Sequence, residues 1–260
     1  MPELLLEILS EEIPARMQQR AAEDLKRLVS EGLKAADLTF KSARAYVTPR
    51  RLVLVVDGLP KKQPDATEER KGPRVDAPAK AVEGFSRSLP DDAKVEQRQT
   101  PKGKFLYAVI ERKGRATAAV LGEVLVSTIN EFRWPKSMRW ANTIFSWVRP
   151  LHGILAIFDG RPLDVRYGLG NRGGRSPNGS IELPFGDQTV GHRFLAPGAF
   201  AVRDFADYRA KLKKANVLID HAERRARIEK DGARLTQKQG LTIKPAPELL
   251  DECAGLVEWP

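Results

Sequence analysis

The sequence predicts an α+β fold with mixed sheets and flanking helices. Three observations carry that expectation. The chain opens with a strand-like run, a helix-period stripe and two more apolar runs; strand-like runs return near its middle; and its final stretch is helical in pattern. At ~150 residues per domain, 260 residues allow one large domain or two ordinary ones. A hydrophobic share of 42% beside a charged share of 30% excludes a disordered chain.

Residues 3–9 read as a strand, and Pro14 suits the first turn of a helix reaching about residue 36, where a missing N–H costs nothing. Met17, Ala21, Leu25, Leu28 and Leu33 recur at helical spacing and give that helix one buried stripe. Residues 40–47 and 51–59 are two further strands, parted at Thr48-Pro49, where proline removes a ladder donor. Val53 and Val55 face opposite Leu54 and Val56, so both faces of this sheet are expected to be covered. Residues 60–79 hold four prolines among charges without periodicity and are predicted as a long exposed loop. A short helix over residues 79–88 and a strand over 104–111, announced by Pro101-Lys102-Gly103, follow.

Residues 116–132 are amphipathic with Val120, Val124 and Ile129 inward, and Trp134-Pro135 ends that helix. A second sheet is predicted from near Ile144, with residues 152–158 and 163–167 as a hairpin around Asp159-Gly160-Arg161-Pro162. Residues 171–179, rich in Gly, Arg and Asn, read as a loop tip. Helices start at Asp204 and Asp220, each with an acid three residues on, as in a capping box. Arg224, Arg225, Arg227 and Lys230 then form a solvated face, and a last helix runs from about Pro247 to Trp259. The expected division is an N-terminal α+β region over 1–115, a second sheet-containing region over 116–203, and a helical segment over 204–260 cut within its domain.

Lys and Arg number 44 against 34 Asp and Glu, a formal charge of +10. The excess is local: residues 1–40 hold five bases and eight acids, whereas residues 131–175 hold eight bases and three acids interleaved with Trp134, Trp140, Trp147 and Tyr167. Such a segment suits phosphate contact, although tryptophans are mostly packed in cores. No apolar run approaches the ~20 residues of a membrane helix, and Glu3 and Glu7 stand where a signal peptide would be basic or apolar, so a cytoplasmic protein without membrane contact is expected. The single cysteine, Cys253, is expected as a small buried hydrophobe.

Catalytic chemistry is not legible. The three histidines lie far apart and no metal-ligand spacing occurs, so no metal site is expected. Gly168-Leu169-Gly170-Asn171-Arg172-Gly173 matches a dinucleotide fingerprint in letters alone, since Gly174-Arg175-Ser176-Pro177 cannot open the required helix. No phosphate loop and no nucleophile elbow occurs. Adjacent Glu11 and Glu12 read as an exposed acidic turn rather than an acid–base pair.

An ordered set of short motifs resembles the beta subunit of the bacterial heterotetrameric glycyl-tRNA synthetase. It begins with Glu7-Ile8-Leu9-Ser10-Glu11-Glu12-Ile13-Pro14, similar to E-I-G-T-E-E-L-P, and Thr48-Pro49-Arg50-Arg51-Leu52. Lys71-Gly72-Pro73, residues 80–88, Pro135-Lys136-Ser137-Met138-Arg139-Trp140, Val148-Arg149-Pro150-Leu151-His152, Gly191-His192-Arg193-Phe194 and Leu256-Val257-Glu258-Trp259-Pro260 follow in the family's order. Leu9-Ser10 replaces Gly-Thr, and Ala141 stands where glycine is usual.

The resemblance implies a tRNA-charging assembly in which glycine activation occurs on the alpha subunit. ATP and Mg are then substrates of the whole complex, and this chain binds no cofactor and carries no catalytic residue. It also implies an editing-domain-like module of the phenylalanyl-tRNA synthetase beta-subunit type, a tRNA(Gly) partner, and an alpha2-beta2 heterotetramer at full length. A free-standing basic RNA-binding module, or a hydrolase clearing mischarged tRNA, are the alternatives. The candidate tRNA-binding residues are Arg50, Arg51, Arg139, Arg149, Arg172, Arg175, His192 and Arg193. Guanidinium forks suit phosphate oxygens, and for each arginine the competing role is an ion pair or carbonyl bond that pins a loop.

Overall fold

The structure, a computed structural model, describes residues 2–101, 103–170 and 181–260. In chain order it forms β1 (Glu3–Ser10), α1 (Ala15–Ala35), β2 (Ser42–Val47), β3 (Arg51–Asp57), β4 (Ala66–Arg74) and α2 (Ala79–Arg87). Next come β5 (Lys94–Thr100), β6 (Gly103–Arg112), α3 (Thr117–Glu131), β7 (Leu151–Phe158), β8 (Arg161–Pro162) and β9 (Arg166–Gly168). The chain continues through β10 (Glu182–Gly186), β11 (Gln188–Val190), β12 (Ala199–Ala201), α4 (Phe205–Lys214), α5 (His221–Lys238) and α6 (Pro247–Ala254). This mixture of sheets and helices is of the α+β kind. The chain divides into two compact units, Met1–Lys61 with Thr117–Pro260, and Lys62–Ala116.

In the larger unit the main sheet runs β2-β3-β1-β7-β10-β9, with β8 beside β7. The apolar alternation of β1 and β3 places side chains on two faces. Leu4, Leu6, Ile8, Leu54 and Val56 pack under α1 and α3 with Leu25, Val29, Leu121 and Leu125. Leu5, Val53, Val55, Leu155 and Ile157 meet Phe205, Tyr208 and Leu212 of α4. Both faces are therefore covered, as the continuous apolar runs require. Trp147 is buried and Trp134 and Trp140 pack against the same core, so the tryptophans are packing residues. Asp159 and Gly160 both take positive φ, 50° and 77°, the backbone of the two-residue turn that joins β7 to β8. The caps at Asp204 and Asp220 also form, each side chain accepting from backbone N–H groups of the first turn.

Several expectations are corrected. Residues 66–74 are strand rather than loop. They pair with β6, and Pro73 falls where the register shifts between Lys71 and Arg74, so its missing N–H breaks no ladder bond. Charge hides this edge strand from an apolar-pattern reading, because its stabilising partners are other charges, as in Glu68 with Arg112 and Glu69 with Arg98. No separate sheet starts near Ile144: β7 instead joins β1, with Leu5 opposite Ile157. The last helix stops at Ala254 rather than reaching Trp259. Arg224 is not solvated but fully buried; its guanidinium donates to the carbonyls of Ala254, Leu218 and Val47 at 2.8–3.0 Å. Burial lowers its pKa to about 10, and the three carbonyls supply the hydrogen bonds that water would have made.

The smaller unit is a three-stranded sheet of order β4-β6-β5 with α2 against it. Gly72 leaves room for that helix, since a Cβ there would lie 2.5 Å from the Phe85 ring.

Ala141, the position where the resembling family carries glycine, has φ 47°. An L side chain crowds the carbonyl there, whereas glycine adopts this conformation freely. Ala141→Gly is therefore expected to stabilise the protein by about 1 kcal/mol. A denaturant midpoint that falls on this change would contradict the strain argument.

Candidate functional site

One end of the main sheet, where β1 runs out at Ser10 and β3 begins at Arg51, gathers five of the sequence motifs. Pairing starts the convergence: Glu7 lies opposite Val53 and Leu9 opposite Arg51, so Glu7 and Arg51 share a face two residues apart in register. That face is the one covered by α4.

Arg51 is fully buried and bonded on all sides. Its Nε donates to Glu7 Oε2 at 3.1 Å, Nη1 pairs with Glu258 Oε1, and Nη2 donates to the Val190 carbonyl. Glu7 also accepts from Tyr208 Oη and, at 2.6 Å, from Thr189 Oγ1. Thr48 Oγ1 donates to Glu258 at 2.6 Å and accepts the N–H groups of Arg50 and Arg51, which fixes the Thr48-Pro49 corner. Burial opposes the Arg51 charge, but Glu258 and Glu7 outweigh it and raise its pKa. Burial, aided by Glu7, pushes the Tyr208 phenol well above its ordinary value. The core of the site is thus a buried ion network whose charges are matched from within the protein.

A second, more open layer lies around the turn that follows β1. The Glu11 N–H donates to the Pro150 carbonyl at 2.9 Å and the Ile13 N–H to that of Pro49, which draws three motif loops together. Glu11 Oε1 meets His152 Nε2 at 2.6 Å and Arg193 Nη2 at 3.0 Å, while Arg193 Nη1 reaches Glu12 at 3.4 Å. Burial acts to raise the Glu11 pKa, yet the His152 hydrogen bond and the Arg193 charge prevail and hold it below the ordinary carboxylate value. A groove of about 500 Å³ opens here, lined by Glu11, Glu12, Pro14, Pro49, Arg149 and Leu256.

The candidate residues separate cleanly in this geometry. Arg51, expected as a tRNA contact, is corrected to a buried structural arginine. Arg50 is 8% exposed, its Nε has no hydrogen-bond partner among the described residues, and burial with the adjacent Arg51 charge lowers its pKa. Arg149 is half-buried and, among the described residues, bonds only its neighbour's carbonyl at Val148, and Arg193 is exposed. His192 Nδ1 accepts from the N–H groups of Phe194 and Leu195, each at 3.2 Å, so this imidazole shapes its own loop. Arg139 is exposed on the loop before Trp140 and forms no ion pair among the described residues. Arg172 and Arg175 lie outside the described residues.

Sequence reasoning missed Glu7, Glu258, Tyr208 and Thr189. Glu7 carried a signal, since a carboxylate inside an apolar strand needs a buried partner. Glu11 and Glu12 do form an acidic turn, but Glu11 is committed to two partners. Among the described residues no hydroxyl or thiol bonds to the His152 ring, whose Nε2 is held by Glu11. The arrangement can hold loops rigidly and present guanidinium groups to anions.

Fold and site together define an α+β protein with a network of ion pairs at one end of its main sheet. The family described as "Glycyl-tRNA synthetase beta subunit" matches residues 4–260, and the chain belongs to that family. Among curated relatives, the "Glycine--tRNA ligase beta subunit" of Rhodospirillum centenum is 46% identical over 273 residues, covering 100% of this chain and 38% of that protein. The proteins of that name from Cereibacter sphaeroides strain ATCC 17029 and Dinoroseobacter shibae are 50% and 48% identical, again over all of this chain, and it spans 36% and 35% of their lengths.

Replacing Arg51 by methionine would strand two buried carboxylates and is expected to cost about 3–5 kcal/mol. Adding Glu7→Gln and Glu258→Gln to that variant should recover part of the loss, because the unpaired charges go with the arginine; urea unfolding of the single and triple variants measures this non-additivity.

The outer layer predicts an acid response. With the folded Glu11 pKa below its ordinary 4.5, the unfolded chain takes up this proton first as pH falls. The stabilisation is complete above about pH 4.5 and lost as pH drops through the lower folded value. Wild-type Tm should therefore fall more steeply than that of Glu11→Gln as pH drops below the ordinary 4.5. Parallel curves would show that Glu11 adds nothing.

Proposed function

We propose that this chain acts as the N-terminal part of a glycine–tRNA ligase beta subunit, holding tRNA(Gly) and supporting assembly with an alpha subunit on which glycine is activated. ATP and Mg serve that partner, and in this reading the full-length subunit works in a cytoplasmic alpha2-beta2 heterotetramer. The likeness to the editing-domain-like module of the phenylalanyl enzyme belongs to the same reading. The carrying observation is the convergence of the family's motifs on one sheet end, where a closed inner network leaves Arg50, Arg149 and Arg193 beside a groove. Cations held in fixed loops suit phosphate oxygens at little ordering cost.

The role of each arginine follows from its surroundings. Arg149 has one local bond among the described residues, which leaves most of its donors for a phosphate. Arg193 is steadied by Glu11 and Glu12, which also temper its charge. Arg139, Arg172 and Arg175 extend the basic stretch between residues 131 and 175 as further phosphate contacts in this proposal.

Binding of tRNA(Gly) measured across a salt series tests this. Arg149→Gln and Arg193→Gln each withdraw one cation from the phosphates, and each should lower the slope of log affinity against log salt by roughly 0.7–0.9. Glycine-dependent exchange between pyrophosphate and ATP should stay at background with this chain alone. Exchange by the isolated chain, or an unaltered slope in both variants, would overturn the proposal.

A further inference from the structure

The unit Lys62–Ala116 carries a sheet face of different chemistry. Its central strand β6 alternates: Leu106, Ala108 and Ile110 are buried, on the side where Gly72 receives Phe85 of α2. Alternation sends Phe105, Tyr107 and Val109 to the other side, where they are half-buried among charged neighbours. Both rings bear a cation. Lys71 Nζ lies 3.8 Å from the Phe105 centroid, and Arg98 Cζ lies 5.2 Å from that of Tyr107.

Arg98 is held in a particular way. It starts on β5, crosses the central strand and pairs with Glu69 on β4 at 2.9 Å, while Glu96 on its own strand pairs with it at 3.3 Å. Two carboxylates thus fix a guanidinium plane above an aromatic ring, and the arginine side chain keeps 39% of its surface in water. Lys71 has no carboxylate partner among the described residues, and the unit holds thirteen bases against nine acids.

We infer that this face binds unpaired nucleotides of RNA, with bases stacking on the Arg98 guanidinium that lies over Tyr107, and phosphates meeting Lys71, which Phe105 supports from below. Guanidinium planes stack with any base, and lysines answer the phosphates between them. A double helix keeps its base faces to itself, and an acidic protein segment would meet Glu69 and Glu96. The inference rests on the tRNA reading only for the source of the RNA.

The test uses the full chain with a labelled single-stranded RNA octamer, a fully paired hairpin of similar charge, and tRNA(Gly). Phe105→Leu with Tyr107→Leu keeps apolar volume and removes the rings. It should weaken octamer binding about 10-fold or more, because the rings support both cations, with an unchanged salt slope. Arg98→Lys, which keeps the charge without the plane, should weaken it several-fold, and Lys71→Gln should lower the slope by about 0.7. Unchanged melting of Arg98→Lys and Lys71→Gln keeps the result readable if the double variant unfolds. Octamer binding that is absent, indifferent to the rings and to Arg98, matched by the hairpin, or displaced by polyglutamate would overturn the inference. tRNA(Gly) binding that ignores these variants condemns this face alone. An octamer response without tRNA(Gly) binding condemns the tRNA reading alone.

Discussion

A single buried charge governs this architecture. Once Arg51 is placed at the start of β3 with no access to water, the fold must supply counter-charge and hydrogen bonds from within, because an isolated buried ion is prohibitively costly. It draws Glu7 from the adjacent strand, Glu258 from near the last residue, and the Val190 carbonyl from β11. Tyr208 and Thr189 complete the coordination of Glu7. Residues from widely separated parts of the sequence thereby acquire one geometry. Such a network adds little net stability compared with packed apolar groups, and its strength is selectivity, since a slipped register would leave charges unpaired.

The outer layer inherits its form from the inner one. Thr48 serves both, bonding Glu258 inward and holding the backbone of Arg50 and Arg51 outward. Because that corner is rigid, the Pro49 carbonyl is in place to receive Ile13, and the β1 turn is set against the loops bearing His152 and Arg193. Position at the surface is thus a consequence of charge balance in the interior. Arg50 shows the transition between layers: it is buried, pairs with no carboxylate among the described residues, and feels the charges of Arg51 and Glu258 as well as those of Arg193 and Glu11.

Elements with a strong apolar period were legible. The β1 run, the α1 stripe, the β3 run and the aspartate caps of α4 and α5 all lie where local pattern placed them. β4 and β5 were not, because strands whose side chains pair charge with charge show no apolar alternation. The motif set pointed to the correct family, yet it gave each arginine the same two possible roles. Arg51 and Arg224 turned inward because carboxylates or carbonyls distant in sequence meet them, and no local spacing records such a meeting. Ala141 is the reverse case, a departure from the family pattern that marked a backbone conformation directly.

The chain leaves the larger unit at Lys61 and re-enters it at Thr117, whose N–H donates to the Lys61 carbonyl at 3.0 Å. Lys62 and Ala116 then pair as an isolated bridge. Departure and return lie side by side in the backbone, so the intervening segment is a loop closed at its base. The entropy of closing a loop grows with the logarithm of its length, about 0.6 kcal/mol per doubling. Lengthening or shortening that excursion changes its closure entropy little, which makes this point in the chain a natural port for acquiring new surface.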